Sequence, residues 1–315
     1  MYPLAVMFPG IKRLRIPLSR DQVMLLLAAV NEILLGVETY IAHLISGTIV
    51  PYEWIPIIFG PISGVLLLLA GLLALRRRSL ATLLATFVFM CSIAVGLLGA
   101  YFHLMRAIRP FAVPGERVTV PLLVWAPPIL GPLTFALVGL LGISAAWIES
   151  PPDSGRLILP AGRRLTLPYS KTRAFFFLTG LGALATVISS VLDHARTDFS
   201  NPWLWVPTAI GVFATVVSVG LGATNHPLRA DFFTYTFAML LMILVGMTGT
   251  VLHISQNLTA EGVIVGERFI RGAPFLAPLL FSDIGTLGLV ALLDPREPGA
   301  DQLADSGIFT TQNGG

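Results

Sequence analysis

Between residues 22 and 294 the chain alternates long apolar runs with short polar or proline-rich breaks. The runs cover residues 22–49, 53–75, 79–108, 121–148, 172–196, 203–224, 231–256 and 273–294. At 1.5 Å per residue each is long enough for a hydrocarbon core of about 30 Å, and all are too long for barrel strands. The pattern predicts an all-α integral membrane protein with eight transmembrane helices. Residues 1–21 read as a basic leader and residues 295–315 as a polar, glycine-ended tail. No short apolar core followed by a small-residue cleavage site opens the chain, so the first run is expected to be a retained span.

The pattern repeats itself. At an offset of 151, His43, Pro51, Trp54, Pro56 and Gly60 match His194, Pro202, Trp205, Pro207 and Gly211. At 150, Gly96, Gly99 and His103 match Gly246, Gly249 and His253. Gly115-Glu116-Arg117 matches Gly266-Glu267-Arg268 at 151. At 146, Pro128, Pro132, Phe135, Gly139 and Gly142 match Pro274, Pro278, Phe281, Gly285 and Gly288. The order never scrambles and the shifts fall in loops. Two tandem four-helix repeats are expected, 22–148 and 172–294, joined by a linker at 149–171. With an even number of spans each, they would be parallel repeats about a pseudo-twofold axis along the membrane normal.

Composition agrees with a membrane setting. Charged residues make up 12% of the chain, against about 25% in soluble domains, and the mean hydropathy is +0.82. The pI near 9.3 therefore reflects topology rather than nucleic-acid binding. Fourteen of the twenty Lys and Arg residues fall on the side of the leader, of Arg76, Arg77 and Arg78, and of Arg156, Arg163, Arg164, Lys171 and Arg173. Arg106, Arg109, Arg117, Arg196, Arg268 and Arg271 fall on the other. The bias predicts a multi-pass protein of the cell (inner) membrane with both termini cytoplasmic. The single cysteine, Cys91, excludes an intrachain disulfide and any cysteine-ligated cluster made by this chain alone.

Four of the five histidines, His43, His103, His194 and His253, sit near the ends of the odd-numbered spans, all on the expected outer side. The fifth, His226, lies in an Asn-His-Pro turn and reads as a solvated loop residue. Glycines stand seven and four residues before both His103 and His253, on the same helical face as the imidazole. First and third helices of a four-helix bundle face each other diagonally. That pairs His43 with His103 and His194 with His253 across two slots cleared by Gly96, Gly99, Gly246 and Gly249. The arrangement suits a bis-histidine heme b in each repeat, two in all, with the four histidines as axial ligands. Interfacial histidines that only bond helices together are the plain alternative. Convergence of all four on one copper, iron or zinc ion is another. Glu38 and Asp193 lie near enough in sequence to join such an ion, but their counterparts are Ser189 and Ala42.

Arg117 and Arg268, with Arg106 and Arg271 nearby, are candidates for heme propionates or an acidic partner, and equally for lipid headgroups. Glu32, beside Asn31, and Asp283 fall near mid-span, where an acid usually faces a bundle interior or cavity. They are candidates for a proton path or a quinone site, or for hydrogen bonds between helices. Their counterparts are Ala183 and Leu137, so any role belongs to one half. Pro128, Pro132, Pro274 and Pro278 read as structural bends at span entrances. Tyr52, Trp54, Trp203 and Trp205 read as an aromatic belt.

No phosphate-binding loop, nucleophile elbow or His-Glu-x-x-His motif is present. The leading expectation is a membrane electron-transfer subunit, cytochrome b-like, with two hemes at similar depth. It would work inside a larger membrane redox complex and pass electrons between a quinone pool and a periplasmic electron-transfer protein. A parallel-repeat transporter or channel with a histidine and acid site is the second expectation. A heme-free anchor for a periplasmic enzyme is the third. In architecture alone, two four-helix units resemble the quinol-interacting anchors of some molybdenum and iron–sulfur oxidoreductases; no residue role is carried over from that resemblance.

Overall fold

The apolar runs fold into helices. The structure, a computed structural model, describes residues 2–13, 18–45 and 47–295. Arg15, Arg296 and the tail from residue 296 lie outside the described residues, as do the side chains of Lys12 and Arg13. A short α1 (Pro3–Met7) precedes α2 (Arg20–Leu44), α3 (Trp54–Ala74) and α4 (Arg78–Ala107). Then come α5 (Val120–Trp125) and α6 (Leu130–Ala146). The second half holds α7 (Lys171–Ala195), α8 (Trp205–Ala223), α9 (Arg229–Asn257), α10 (Gly266–Arg271) and α11 (Leu279–Val290).

Six helices are long and apolar enough to cross a bilayer: α2, α3, α4, α7, α8 and α9. Exposed Leu68, Leu72, Leu83, Phe87, Leu240 and Leu244 cover their outer faces, as lipid contact requires. The protein is a multi-pass helical membrane protein. The fourth and eighth expected spans come out differently. Residues 121–148 are broken, and the segment ending in α5 meets α6 at 83°. Adjacent Pro127 and Pro128 remove two N–H donors and force the residue before them out of the helical region. Residues 273–294 contain only the twelve-residue α11, about 18 Å long, preceded by tight turns around Pro274 and Pro278.

The interior of each half is set by close helix contact. On α4 the buried positions Ala81, Ala85, Val88, Phe89, Ser92, Gly96 and Ala100 recur every three or four residues, and this face meets α6. A Cβ on Gly96 would lie 2.6 Å from the Ala136 nitrogen and 2.9 Å from the Pro132 carbonyl. On α9, a Cβ on Gly246 would lie 2.6 Å from the Ser282 nitrogen and 2.7 Å from the Pro278 carbonyl. Only glycine lets these backbones touch.

At the opposite end from the histidines, α2 and α7 start side by side. Ser19 and Ser170 cap them through their hydroxyls, which accept from Gln22 N and Arg173 N. The buried Arg20 donates from Nη1 to Thr172 Oγ1 at 2.7 Å, and the buried Lys171 donates from Nζ to Asp21 Oδ2. Lys171 also reaches the Trp147 carbonyl at 2.6 Å.

The segment expected to be a plain linker carries structure. β1 (Ile148–Glu149), β2 (Arg156–Ile158) and β3 (Arg164–Thr166) form an antiparallel sheet in the order β1-β2-β3. The Glu149 carboxylate accepts from the N–H groups of Asp153, Gly155 and Lys171, which ties the sheet to the start of α7.

Gly96→Ala and Gly246→Ala should each destabilise the protein by about 1–3 kcal/mol, because the new methyl would press on backbone atoms of the facing helix and, at Gly246, on Ser282 Oγ as well. Gly71 has open space around its Cβ direction. Gly71→Ala should therefore be neutral or stabilising by up to about 1 kcal/mol. Thermal unfolding in detergent compares the three.

Candidate functional site

The site begins with a proline. A helical carbonyl normally accepts from the N–H four residues on. Four residues after Pro128 stands Pro132, and four after Pro274 stands Pro278, neither of which has an N–H. Histidine reaches both carbonyls, and that of Pro274 also accepts from the Ala277 N–H at 3.2 Å. His103 Nδ1 donates to the Pro128 carbonyl at 2.8 Å, and His253 Nδ1 donates to the Pro274 carbonyl at 3.0 Å. A carbonyl only accepts, so each ring carries a proton on Nδ1, and the neutral ring holds its lone pair on Nε2. That is the tautomer of a metal-ligating or proton-accepting imidazole.

Each of these rings has a second histidine beside it. The His43 and His103 rings lie 6.2 Å apart between centroids, with planes at 52°. His43 Nδ1 is bonded to the Thr39 carbonyl at 2.7 Å. In the other half, His194 and His253 lie within electrostatic reach of each other, and His194 Nδ1 sits 3.3 Å from Ser190 Oγ. The four histidines do not converge on one point. Among the described residues no group of three or more His, Cys, Asp or Glu side chains stands close enough to hold one metal ion.

Each pair has an acid and an arginine at its edge, drawn from unmatched positions. Beside His103 are Glu53 and Arg106, 3.9 Å apart. Beside His194 and His253 is Asp193, 3.8 Å from Arg196. Arg196 also donates from Nε to the Val124 carbonyl at 2.8 Å, closing the end of α5. Phe199 stacks on Trp205 at 4.4 Å and meets the His194 ring edge-on.

The remaining candidates fall as follows. Gly99 and Gly249 face the Pro132 and Pro278 rings, so with Gly96 and Gly246 the glycine strips are filled by α6 and α11 rather than open. Arg117 is exposed and donates from Nε to the Ala112 carbonyl of its own loop. Arg268 donates to the Gln256 carbonyl and lines a hollow of about 500 Å³ with Asn257, Glu267 and Arg271; no histidine lines it. His226 is an exposed turn residue. Glu38 lies on α2, one residue before Thr39.

The two interior acids are separately held. Asp283 on α11 accepts from Asn31 Nδ2 on α2, at 3.0 Å to each carboxyl oxygen. Glu32 is fully buried and meets Ser63 of α3 and Ser92 of α4. Neither serine stood out in the sequence, where a lone hydroxyl in an apolar run is unremarked. The signal was present in the repeat: Glu32, Ser63 and Ser92 align with Ala183, Ala214 and Met242.

The fold and site define a helical membrane protein with two histidine pairs at one end. Comparison with known protein families, with curated proteins and with solved structures finds no match.

Asn31→Ala should destabilise the protein by about 1–3 kcal/mol, since Asp283 is left unbonded. Adding Asp283→Ala should recover most of the loss. A double-mutant cycle on detergent unfolding measures the coupling.

Proposed function

We propose that this chain is a membrane electron-transfer subunit in which each histidine pair holds one redox metal, the iron of a b-type heme. The observation that carries the reading is the matched tautomer. His103 and His253 spend the same nitrogen on matched proline carbonyls, which leaves Nε2 of each ring without that bond. Metal-bound imidazoles almost always hold their second N–H in this way.

The ring spacing supports two ligands on opposite sides of one metal. With metal–nitrogen bonds of about 2.0–2.1 Å, and a ring centre about 1.1 Å behind each nitrogen, trans imidazoles have centroids about 6.3 Å apart. His43 and His103 are at 6.2 Å. A tetrahedral pair would be about 5 Å apart by the same arithmetic.

A tandem duplication accounts for the pairing, with eight membrane-crossing segments of which the fourth and eighth are the broken ones. Reciprocal contacts support it: Arg20 bonds Thr172 while Lys171 bonds Asp21, and these are matched positions. Asn31 opposite Asp283 corresponds to Gly182 opposite Leu137, whose Cδ2 lies 3.0 Å from a Cβ built on Gly182. Such exchange of partners is what a twofold axis produces.

The bias of positive residues supports a cytoplasmic Arg20 and Lys171 end, with both termini, and histidines toward the periplasm of an inner membrane. Two metals at equal depth suit lateral transfer between a quinone and a periplasmic redox protein within a larger complex.

The filled glycine strips favour a second reading, in which each pair binds a bare transition metal such as copper instead of a macrocycle. One preparation separates them. Protein made with heme and metals available should show a Soret peak, a reduced α-band and two irons per chain. His103→Ala and His253→Ala should each remove about half of the absorbance. Stoichiometric copper without a Soret band establishes the second reading. A colourless, metal-free protein refutes both.

A further inference from the structure

We propose that Glu32, Ser63 and Ser92 form a proton-binding site inside the membrane, built into the His43–His103 half and missing from the other. All three side chains are at most 1% exposed. Ser63 Oγ lies 3.0 Å from Glu32 Oε2 and 2.8 Å from the Gly60 carbonyl. Ser92 Oγ lies 2.5 Å from Glu32 Oε1 and 2.8 Å from the Phe135 carbonyl. The cage thus draws on α2, α3, α4 and α6. Every group it brings to the carboxyl is a hydroxyl or a carbonyl. Among the described residues no Lys, Arg or His is bonded to Glu32, and no second acid is.

The occupant follows from charge and distance. A carboxylate without a cation is strongly disfavoured in a lipid interior, and a proton is the smallest group that neutralises it. The contacts at 3.0 Å and 2.5 Å are hydrogen-bond lengths, and the 2.5 Å one is shorter than the separation of two oxygens on a metal ion bound at about 2.3–2.6 Å. With the proton on, Glu32 donates to Ser92 Oγ and Ser92 donates to the Phe135 carbonyl. With the proton off, rotation of the Ser63 and Ser92 hydroxyls turns both hydrogens onto the carboxylate. One cage therefore serves both states without moving the backbone.

Packing does not require this cage. The matched Ala183, Ala214 and Met242 are fully buried within one apolar cluster, so the other half closes the same space with two methyls and a thioether. A polar trio kept where an apolar one fits points to function.

Its position points to which function. Glu32 precedes His43 by eleven residues on α2, and Ser92 precedes His103 by eleven on α4. Eleven residues are about three turns, so each lies about 16 Å below its histidine on the same helical face. The acid and the histidine pair share one column. On the redox reading above, on which this part rests, the His43–His103 metal is coupled to a proton and the His194–His253 metal is not.

Infrared spectroscopy of the full chain in nanodiscs tests the proton directly, whether or not metal is bound. A deuterium-sensitive protonated-carboxyl band at neutral pH should disappear in Glu32→Gln and persist in Asp283→Asn. An unchanged Glu32→Gln spectrum overturns the proposal. The triple variant Glu32→Ala/Ser63→Ala/Ser92→Met should assemble and unfold within a few degrees of wild type; failure to assemble makes the trio structural and also overturns it. In loaded protein, His194→Ala/His253→Ala leaves the first pair, whose midpoint potential should fall with pH by up to about 59 mV per unit, the equivalent of tenfold in proton activity per electron. His43→Ala/His103→Ala leaves the second, whose potential should fall less steeply. Equal slopes contradict the coupling, while absence of any metal refutes the redox reading and leaves the infrared result standing.

Discussion

A carbonyl deprived of its helical donor organises the histidine end of this protein. Pro132 and Pro278 cannot offer an N–H to the carbonyls of Pro128 and Pro274; the latter accepts from the Ala277 N–H at 3.2 Å, and each carbonyl keeps a lone pair for a side-chain donor. His103 and His253 supply it. The bond fixes which imidazole nitrogen carries the proton and which face the ring presents. It can form only because α4 reaches α6, and α9 reaches α11, at backbone contact through Gly96 and Gly246. Helix break, glycine contact and histidine tautomer are one unit, present once in each half.

The two halves differ where the bilayer makes difference expensive. Glu32, Ser63 and Ser92 fill in one half the space that Ala183, Ala214 and Met242 fill in the other. Asn31 and Asp283 meet where Gly182 and Leu137 meet opposite. Polar groups at these depths are disfavoured by at least about 2.5 kcal/mol when charged. Each is bonded here, the glutamate within the first half and the Asn31–Asp283 pair between the halves, and neither has a polar counterpart at its matched position. The buried Arg20, Asp21, Lys171 and Thr172 set at the far end instead spans both halves and fixes how α2 and α7 begin.

Hydropathy alone located the six long helices, because lipid contact and helix length leave a strong period-free apolar signal. At 121–148 and 273–294 it did not show that the helices are broken or short, because Pro127, Pro128, Pro274 and Pro278 interrupt apolar sequence without changing its hydropathy. The glycines before His103 and His253 were legible as a cleared strip, but not what would fill it; α6 and α11 do, because a gap against a packed helix is closed by its neighbour. The sheet at 148–166 was invisible, since its strands are two or three residues long and lie in a polar linker. Ser63 and Ser92 were legible only by reading the halves against each other, as coordinated departures from an apolar pattern.

The central claim is that each histidine pair offers two imidazole nitrogens to one metal from opposite sides. X-ray absorption at the metal edge of the loaded, purified protein measures this most directly. The account predicts two metals per chain, each with two imidazole nitrogens at about 2.0–2.1 Å, and one imidazole lost per metal when either member of a pair is replaced. A first shell without imidazole, or one unaffected by replacing His103 and His253, would contradict it.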